Sequence, residues 1–138
     1  MYPTPIEITD FDARRLRRLL DSYEELPTSS ARELTRLRRE LERARIVSSH
    51  EVEGNVVTMN SQIVLRDLDS GQEYTCTLCF PDDTRADGSR LSVLAPVGTA
   101  ILGYREGSVI EWEVPAGTRH FRIEKILYQP EAAGDYHL

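Results

Sequence analysis

Two cysteines stand three apart in Cys76-Thr77-Leu78-Cys79, the spacing used by redox dithiols and zinc sites. The pair falls in an alternating apolar run that reads as a strand, where residues three apart point to opposite faces. No second cysteine pair exists to complete a metal site. Cys76 and Cys79 are therefore read as packing residues. His50, His120 and His137 are scattered, with no nucleophile beside any of them in sequence, and His120 reads as an outward-facing strand residue. Gly98, Gly103, Gly107 and Gly117 lack both phosphate-loop and dinucleotide spacing and read as turns and caps. The remaining constellation is acidic: Asp21, Glu24 and Glu25, followed by Leu26, at the end of a helical stretch. Carboxylates on a projecting tip can hold Mg²⁺ inside a partner's active site, because hard cations take oxygen ligands. The same cluster can equally solvate a loop. The residues present no catalytic group, resident metal or cofactor of their own.

The tip belongs to a helical hairpin. Thr9 opens the first helix with Asp12 three residues on, a variant of the capping box. Phe11, Leu16, Leu19, Leu20 and Tyr23 then recur at helical spacing. Ser30 and Glu33 form a fuller capping box for a second helix. Its Leu34, Leu37, Leu41 and Ala44 make a heptad seam. Pro27 forbids one uninterrupted helix, and the short 24–29 connection makes the two helices antiparallel neighbours. Arg36/Glu40 and Arg38/Glu42 are spaced for pairing along the solvated face. At 1.5 Å per residue, helices of about fifteen residues reach roughly 20–25 Å and bury only a thin seam, so the hairpin leans on the C-terminal two thirds of the chain.

Residues 49–138 read as antiparallel β with one short helix. Val56-Val57-Thr58-Met59, Ile63-Val64-Leu65 and Leu91-Ser92-Val93-Leu94 are apolar, β-branched runs. Tyr74, Cys76, Leu78 and Phe80 alternate after the turn Asp69-Ser70-Gly71. Pro81-Asp82-Asp83 and Ala86-Asp87-Gly88 mark a longer polar loop. Pro96 and Gly103 bracket a short helix with Val97, Ala100, Ile101 and Leu102 on its apolar face. Ile110, Trp112 and Val114 alternate with Val109, Glu111 and Glu113, and Pro115-Ala116-Gly117 turns the chain. Phe121 and Ile123 point inward, and the switch to Ile126 and Tyr128 predicts a bulge. Residues 129–138 show no periodicity.

The chain has 138 residues and a net charge of −6. The first 45 residues carry ten arginines and nine acids; the rest carry seven basic residues and fourteen acids. The division predicts a helical hairpin over 1–48 and a β domain over 49–138. An acidic chain is unsuited to holding nucleic acid by bulk charge, so no direct sequence-specific nucleic-acid binding is expected. No run approaches a membrane span, and Met1-Tyr2-Pro3-Thr4-Pro5 starts no secretory signal, so the expected location is cytoplasmic, with no membrane partner.

Leu91-Ser92-Val93-Leu94-Ala95-Pro96-Val97-Gly98-Thr99-Ala100-Ile101-Leu102-Gly103 resembles the strand, Pro loop and short helix of the bacterial Gre transcript-cleavage factors. Gly107, the strand after it and the Pro115-Ala116-Gly117 turn continue the likeness. Val57-Thr58-Met59-Asn60-Ser61 and Tyr128-Gln129-Pro130-Glu131-Ala132-Ala133-Gly134-Asp135-Tyr136 resemble the narrower Rnk branch, the regulators of nucleoside diphosphate kinase.

The resemblance implies an α+β protein: a short N-terminal antiparallel coiled coil and a C-terminal FKBP-like antiparallel β domain. It further implies a partner, the RNA polymerase core, with the β domain docked at the rim of the secondary channel and the arm in its mouth. Any contact with DNA is then indirect. Leu94, Pro96 and Val97 are the expected polymerase-binding residues, exposed apolar side chains around a rigid proline. Asp21, Glu24, Glu25 and Leu26 are the expected hairpin tip. The hairpin is much shorter than a Gre arm and lacks the Gre tip motif, and Ala95 stands where Gre factors usually have Ser. The resemblance therefore implies a non-enzymatic regulator that competes with Gre-type factors without stimulating cleavage and that affects the level of nucleoside diphosphate kinase. A transcript-cleavage cofactor acting through the acidic tip, a direct binder of the kinase and a prolyl isomerase are the other readings.

Overall fold

The computed structural model describes residues 6–23, 31–81, 89–114 and 117–138. The first elements are β1 (Glu7–Thr9), α1 (Asp10–Tyr23), α2 (Ala31–Arg43) and β2 (Arg45–Val47). Thr9 caps α1 as its spacing predicts: its Oγ1 accepts from the Asp12 N–H at 3.0 Å. The Asp12 carboxylate makes no reciprocal bond and turns elsewhere. Leu16, Leu20, Leu37 and Leu41 are buried, and Leu34 and Ala44 pack beside them, so the predicted seam is the inward face of the helix pair. Glu40 pairs with Arg43 at 2.9 Å, so the Arg36/Glu40 spacing goes unused. Ser30 and the connection with Glu24, Glu25, Leu26 and Pro27 lie outside the described residues. β1 and β2 pair in parallel, Ile8 opposite Ile46. Three-residue strands are too short to announce themselves by alternation.

The main sheet contains β3 (Gln62–Asp67), β4 (Glu73–Cys79), β5 (Arg90–Ser92), β6 (Val109–Val114) and β7 (Gly117–Tyr128), in the order β5-β4-β3-β7-β6. The neighbours are antiparallel except β4 and β5, which run parallel, a departure from the purely antiparallel reading. Parallel neighbours cannot be joined by a tight hairpin turn, in keeping with the longer polar loop read from the sequence between Cys79 and Arg90. Of that loop, Asp82, Asp83, Ala86, Asp87 and Gly88 lie outside the described residues, as do Pro115 and Ala116 of the later turn. The bulge expected in β7 is present: the register with β3 shifts twice, between Gln62 and Ile63 and between Val64 and Leu65. Two expectations fail. Val56-Val57-Thr58-Met59 is buried but is no strand. Apart from a single bridge from Val56 to Arg105, it leads into a turn closed by the Ser61 N–H to the Thr58 carbonyl at 3.1 Å. Asn60 carries that turn at φ 66°, a conformation Asn tolerates better than most side chains. Tyr74 does not join Cys76 and Leu78 inside; it is exposed at the hairpin end, where its hydroxyl donates to Gln72.

Between β5 and β6 lies α3 (Pro96–Ile101), with Pro in its first turn and Gly103 following at φ 81°. Ile6 and Ile8 of the N-terminal segment, Leu16 and Leu37 of the helix pair, Ile63, Leu78 and Ile123 of the sheet and Ile101 of α3 share one buried cluster. The hairpin base therefore shares one core with the sheet, α2 packing on α3 and α1 on the β1–β2 pair. Residues 130–133 form α4 (Pro130–Ala133), a single turn capped by Gln129 and ended by Gly134 at φ 82°. One turn is too short to leave a periodic signal, which is why 129–138 read as irregular.

Gly98 is the tightest point of α3. A Cβ there would stand 2.1 Å from the Ser92 carbonyl oxygen and 3.0 Å from its carbon. Backbone cannot step aside as a flexible side chain can. Gly98→Ala is expected to cost about 2–3 kcal/mol despite the better helix propensity of Ala, read as a lower urea midpoint at unchanged slope.

Candidate functional site

The corner between β5 and α3 is built by local hydrogen bonds. The Leu94 N–H donates to Ser92 Oγ at 3.1 Å and the Ala95 N–H to the Ser92 carbonyl at 3.0 Å. Thr99 Oγ1 donates to the Val93 carbonyl at 2.5 Å, tying the helix back to the turn that precedes it. Val93 is fully buried beneath. Leu94 and Pro96 are half-buried, so each leaves part of its side chain on the surface. Val97 faces the core, which removes it from the exposed set the sequence suggested. The corner is thus a small apolar step on a stiff base, the geometry that spares a docking surface the entropy cost of ordering on contact.

The arm offers a second surface. Arg17, Leu20 and Asp21 of α1 line a groove of about 250 Å³ with Arg38, Leu41 and Glu42 of α2. The two helices thus share this groove along their facing sides. Asp21 is exposed at the far end of α1. Its companions Glu24, Glu25 and Leu26 lie outside the described residues, so the proposed tip is placed only through Asp21. Among the described residues no group of three or more His, Cys, Asp or Glu could hold a metal. Cys76 and Cys79 are buried and form no disulfide, and burial pushes the Cys76 thiol up to about 11, which leaves it un-ionised at neutral pH. His50 stacks on Tyr136 at 3.9 Å, and His120 stands between Asp69 and Glu111.

The feature that residue spacing missed is the joint between arm and sheet. Asp12 is fully buried. Its Oδ2 accepts the Met59 N–H at 3.0 Å, and its Oδ1 accepts Arg15 Nη2 at 2.6 Å. The Arg15 guanidinium lies 4.0 Å from the Phe11 ring centroid and 4.9 Å from that of Phe80, and also donates to the Leu138 carbonyl at 2.7 Å. Thr58, beside Met59, donates its hydroxyl to Glu131 at 2.6 Å, while Gln129 Nε2 donates to the carbonyls of Glu53 and Val56. Arg43 reaches the Tyr104 hydroxyl at 2.8 Å, and Arg105 pairs with Glu7 and Glu53. The capping spacing pointed to Asp12, but only as a local cap. The stretches 57–61 and 128–136, which carry the narrower resemblance, meet here.

Comparison with known proteins decides the family. The "Regulator of nucleoside diphosphate kinase" of Escherichia coli K12 is 44% identical over 137 residues, covering 97% of this chain and 96% of that one. The chain belongs to the Rnk family. The family model described as the Rnk N-terminus matches residues 4–47, and that of the C-terminal part of the transcription elongation factors GreA/GreB matches residues 50–128. The elongation factor GreA of Syntrophomonas wolfei is 33% identical over 90 residues, 65% of this chain and 57% of that protein. The solved structure of a GreA/GreB transcription elongation factor from Nitrosomonas europaea superposes with a TM-score of 0.73 at 38% identity, covering 89% of this chain and 99% of that one. This Rnk-family chain therefore has a Gre-like α+β fold, a helical N-terminal part followed by a β-sheet.

Burial pushes the Asp12 carboxyl up to about 6, against the pull of the Met59 amide and of Arg15, and the Glu131 charge adds to the push. A carboxyl with a higher pKa folded than unfolded binds its proton more tightly in the native state, so its burial cost is fully present above about pH 6 and is relieved as pH falls toward 4. Wild type should gain about 2 kcal/mol on Asp12→Asn between pH 7 and pH 4.5, measured by urea unfolding of both. Using the difference cancels the acid loss from Asp67, whose carboxyl Arg119 holds below the usual range. A difference that stays flat with pH contradicts this account of Asp12.

Proposed function

We propose that this chain is a non-enzymatic transcription regulator that binds the RNA polymerase core near its secondary channel. It competes there with Gre-type factors and does not stimulate transcript cleavage. In this reading residues 1–48 form a short coiled-coil arm, and residues 49–138 form an FKBP-like docking domain. The E. coli relative is named for regulation of nucleoside diphosphate kinase. The same regulation is assigned here through transcription, with no contact to the kinase required.

The observation that carries this reading is the length of the arm. The 14 residues of α1 and 13 of α2 each rise about 20 Å. Leu16, Leu37 and Leu41 spend part of that length in the shared core. A carboxylate must come within about 2.5 Å of a metal to ligate it, so side chains cannot replace missing helix. An arm of this reach occupies a channel mouth and excludes a longer-armed competitor. Leu94 and Pro96 supply the docking step, and the acidic charge of residues 46–138 suits a basic patch on the partner and speeds encounter.

The core enzyme is expected to retain the full chain at low salt, and added salt should weaken retention. Pro96→Asp should weaken it about tenfold, since Asp is tolerated in the first turn of a helix while the apolar step is lost. Circular dichroism of the variant checks that the fold survives. Backtracked complexes should release no short RNA 3′ fragments in its presence, and a long-armed Gre factor should displace it. Absence of retention at low salt rejects the proposal. Fragment release that Asp21→Ala/Glu24→Ala/Glu25→Ala abolishes favours the cleavage cofactor, and co-purification with the kinase without polymerase favours the direct binder.

A further inference from the structure

The 58–61 turn is bonded to Leu78 of β4 through its backbone and is gripped from two further sides. On one side the Met59 N–H donates to Asp12 of α1 at 3.0 Å. On the other, the Thr58 hydroxyl donates to Glu131 of α4 at 2.6 Å and lies 2.9 Å from Ser61 Oγ. Asp12, Thr58, Met59 and Ser61 are all buried to 1% exposure or less, and Glu131 is at 7%. The tail then returns to the arm: the Leu138 carbonyl accepts both Arg15 Nη2 and Asn60 Nδ2 at 2.7 Å, and Arg15 closes the circuit on Asp12. The hydrogen bonds thus form a ring that runs from α1 to the turn, to α4, along the tail, and back to α1.

We propose that this ring is a latch that couples the seat of the C-terminal tail to the seat of the arm. One guanidinium joins the buried Asp12 carboxylate to the end of the tail, and adjacent residues of a single turn serve Asp12 and Glu131. Loss of the tail leaves the Thr58 hydroxyl without its carboxylate and Arg15 and Asn60 without their shared acceptor. The turn that presents the Met59 amide to Asp12 then keeps its backbone bonds to Leu78 of β4 but loses both of its side-chain ties to the C-terminal segment, and buried polar groups left unpaired are costly. The tail's outer end carries Tyr136, stacked on His50, and Leu138, both more than a third exposed. The base of the arm is therefore open to control by whatever holds or lifts the tail. This goes beyond the proposed polymerase reading and does not depend on it.

Amide hydrogen exchange of the full chain, read residue by residue, tests the coupling. Glu131→Ala is expected to speed exchange about tenfold or more at residues 132–135, at Met59 and in the first turns of α1, while Ile63 and Ile123 in the sheet stay slow. Tyr74→Phe removes the Tyr74 bond to Gln72 at the outer end of the β3–β4 hairpin, away from both ring and tail, and should leave α1 unchanged. Should Glu131→Ala fail to fold, Thr58→Val cuts the same link with little change of volume and carries the same expectation. A loosened tail with α1 and Met59 unaffected overturns the latch, as does a tail that stays slow once its Glu131–Thr58 bond is gone.

Discussion

A carboxylate taken out of water must find partners, and the partners of Asp12 decide how this molecule is assembled. The residue sits in the first turn of the first helix, where its backbone N–H completes the Thr9 cap. Its side chain could have stayed local. Instead it reaches the Met59 amide, forty-seven positions away, and draws Arg15 in behind it. Removing such a group orphans the buried Met59 amide and takes from Arg15, a quarter of whose side chain is exposed, its charge partner, which is more damaging than losing one hydrogen bond. Arg15 lies between two aromatic rings and bonds the tail, so the same contact organises helix, turn and C-terminus.

This joint makes the helix pair a fixed projection rather than a tethered one. Arg43 to Tyr104, Arg105 to Glu7, and the β1–β2 pair add independent ties around the base. The apolar seam is continuous with the sheet's inner face through Leu16 and Leu37. Among the described residues, Asp21 at the far end of α1 is exposed and Leu94 and Pro96 are half-buried at the β5–α3 corner. The proposed role of the helix pair as an obstacle draws on this arrangement, since a stiff body loses less entropy on binding than a floppy one.

Much of the architecture was legible because its signals are local. The Thr9 cap, the Leu34–Leu37–Leu41 seam, the Pro96 and Gly103 brackets and the β7 bulge each depend on residues within about two turns of one another. The failures share a cause. Val56 to Met59 have strand chemistry, but their backbone groups are claimed by a turn and by distant partners. β5 lies parallel to β4, because sheet order is set by which edge is open and not by the strand's own residues. Tyr74 alternates correctly and still ends outside, where the sheet runs past the core. Val97 was expected as a surface contact, but α3 turns it toward the core.

Composition, periodicity and resemblance determined the two-part α+β plan, the acidic balance, the family and the shortness of the arm, all of which are additive along the chain. Tertiary structure alone decided that Asp12 is a tie rather than a cap, that Thr58 and Glu131 are partners, and that an aperiodic tail is a structural member. Those facts depend on which groups are removed from water together. Burial is a property of the packed whole, so no window of sequence contains it.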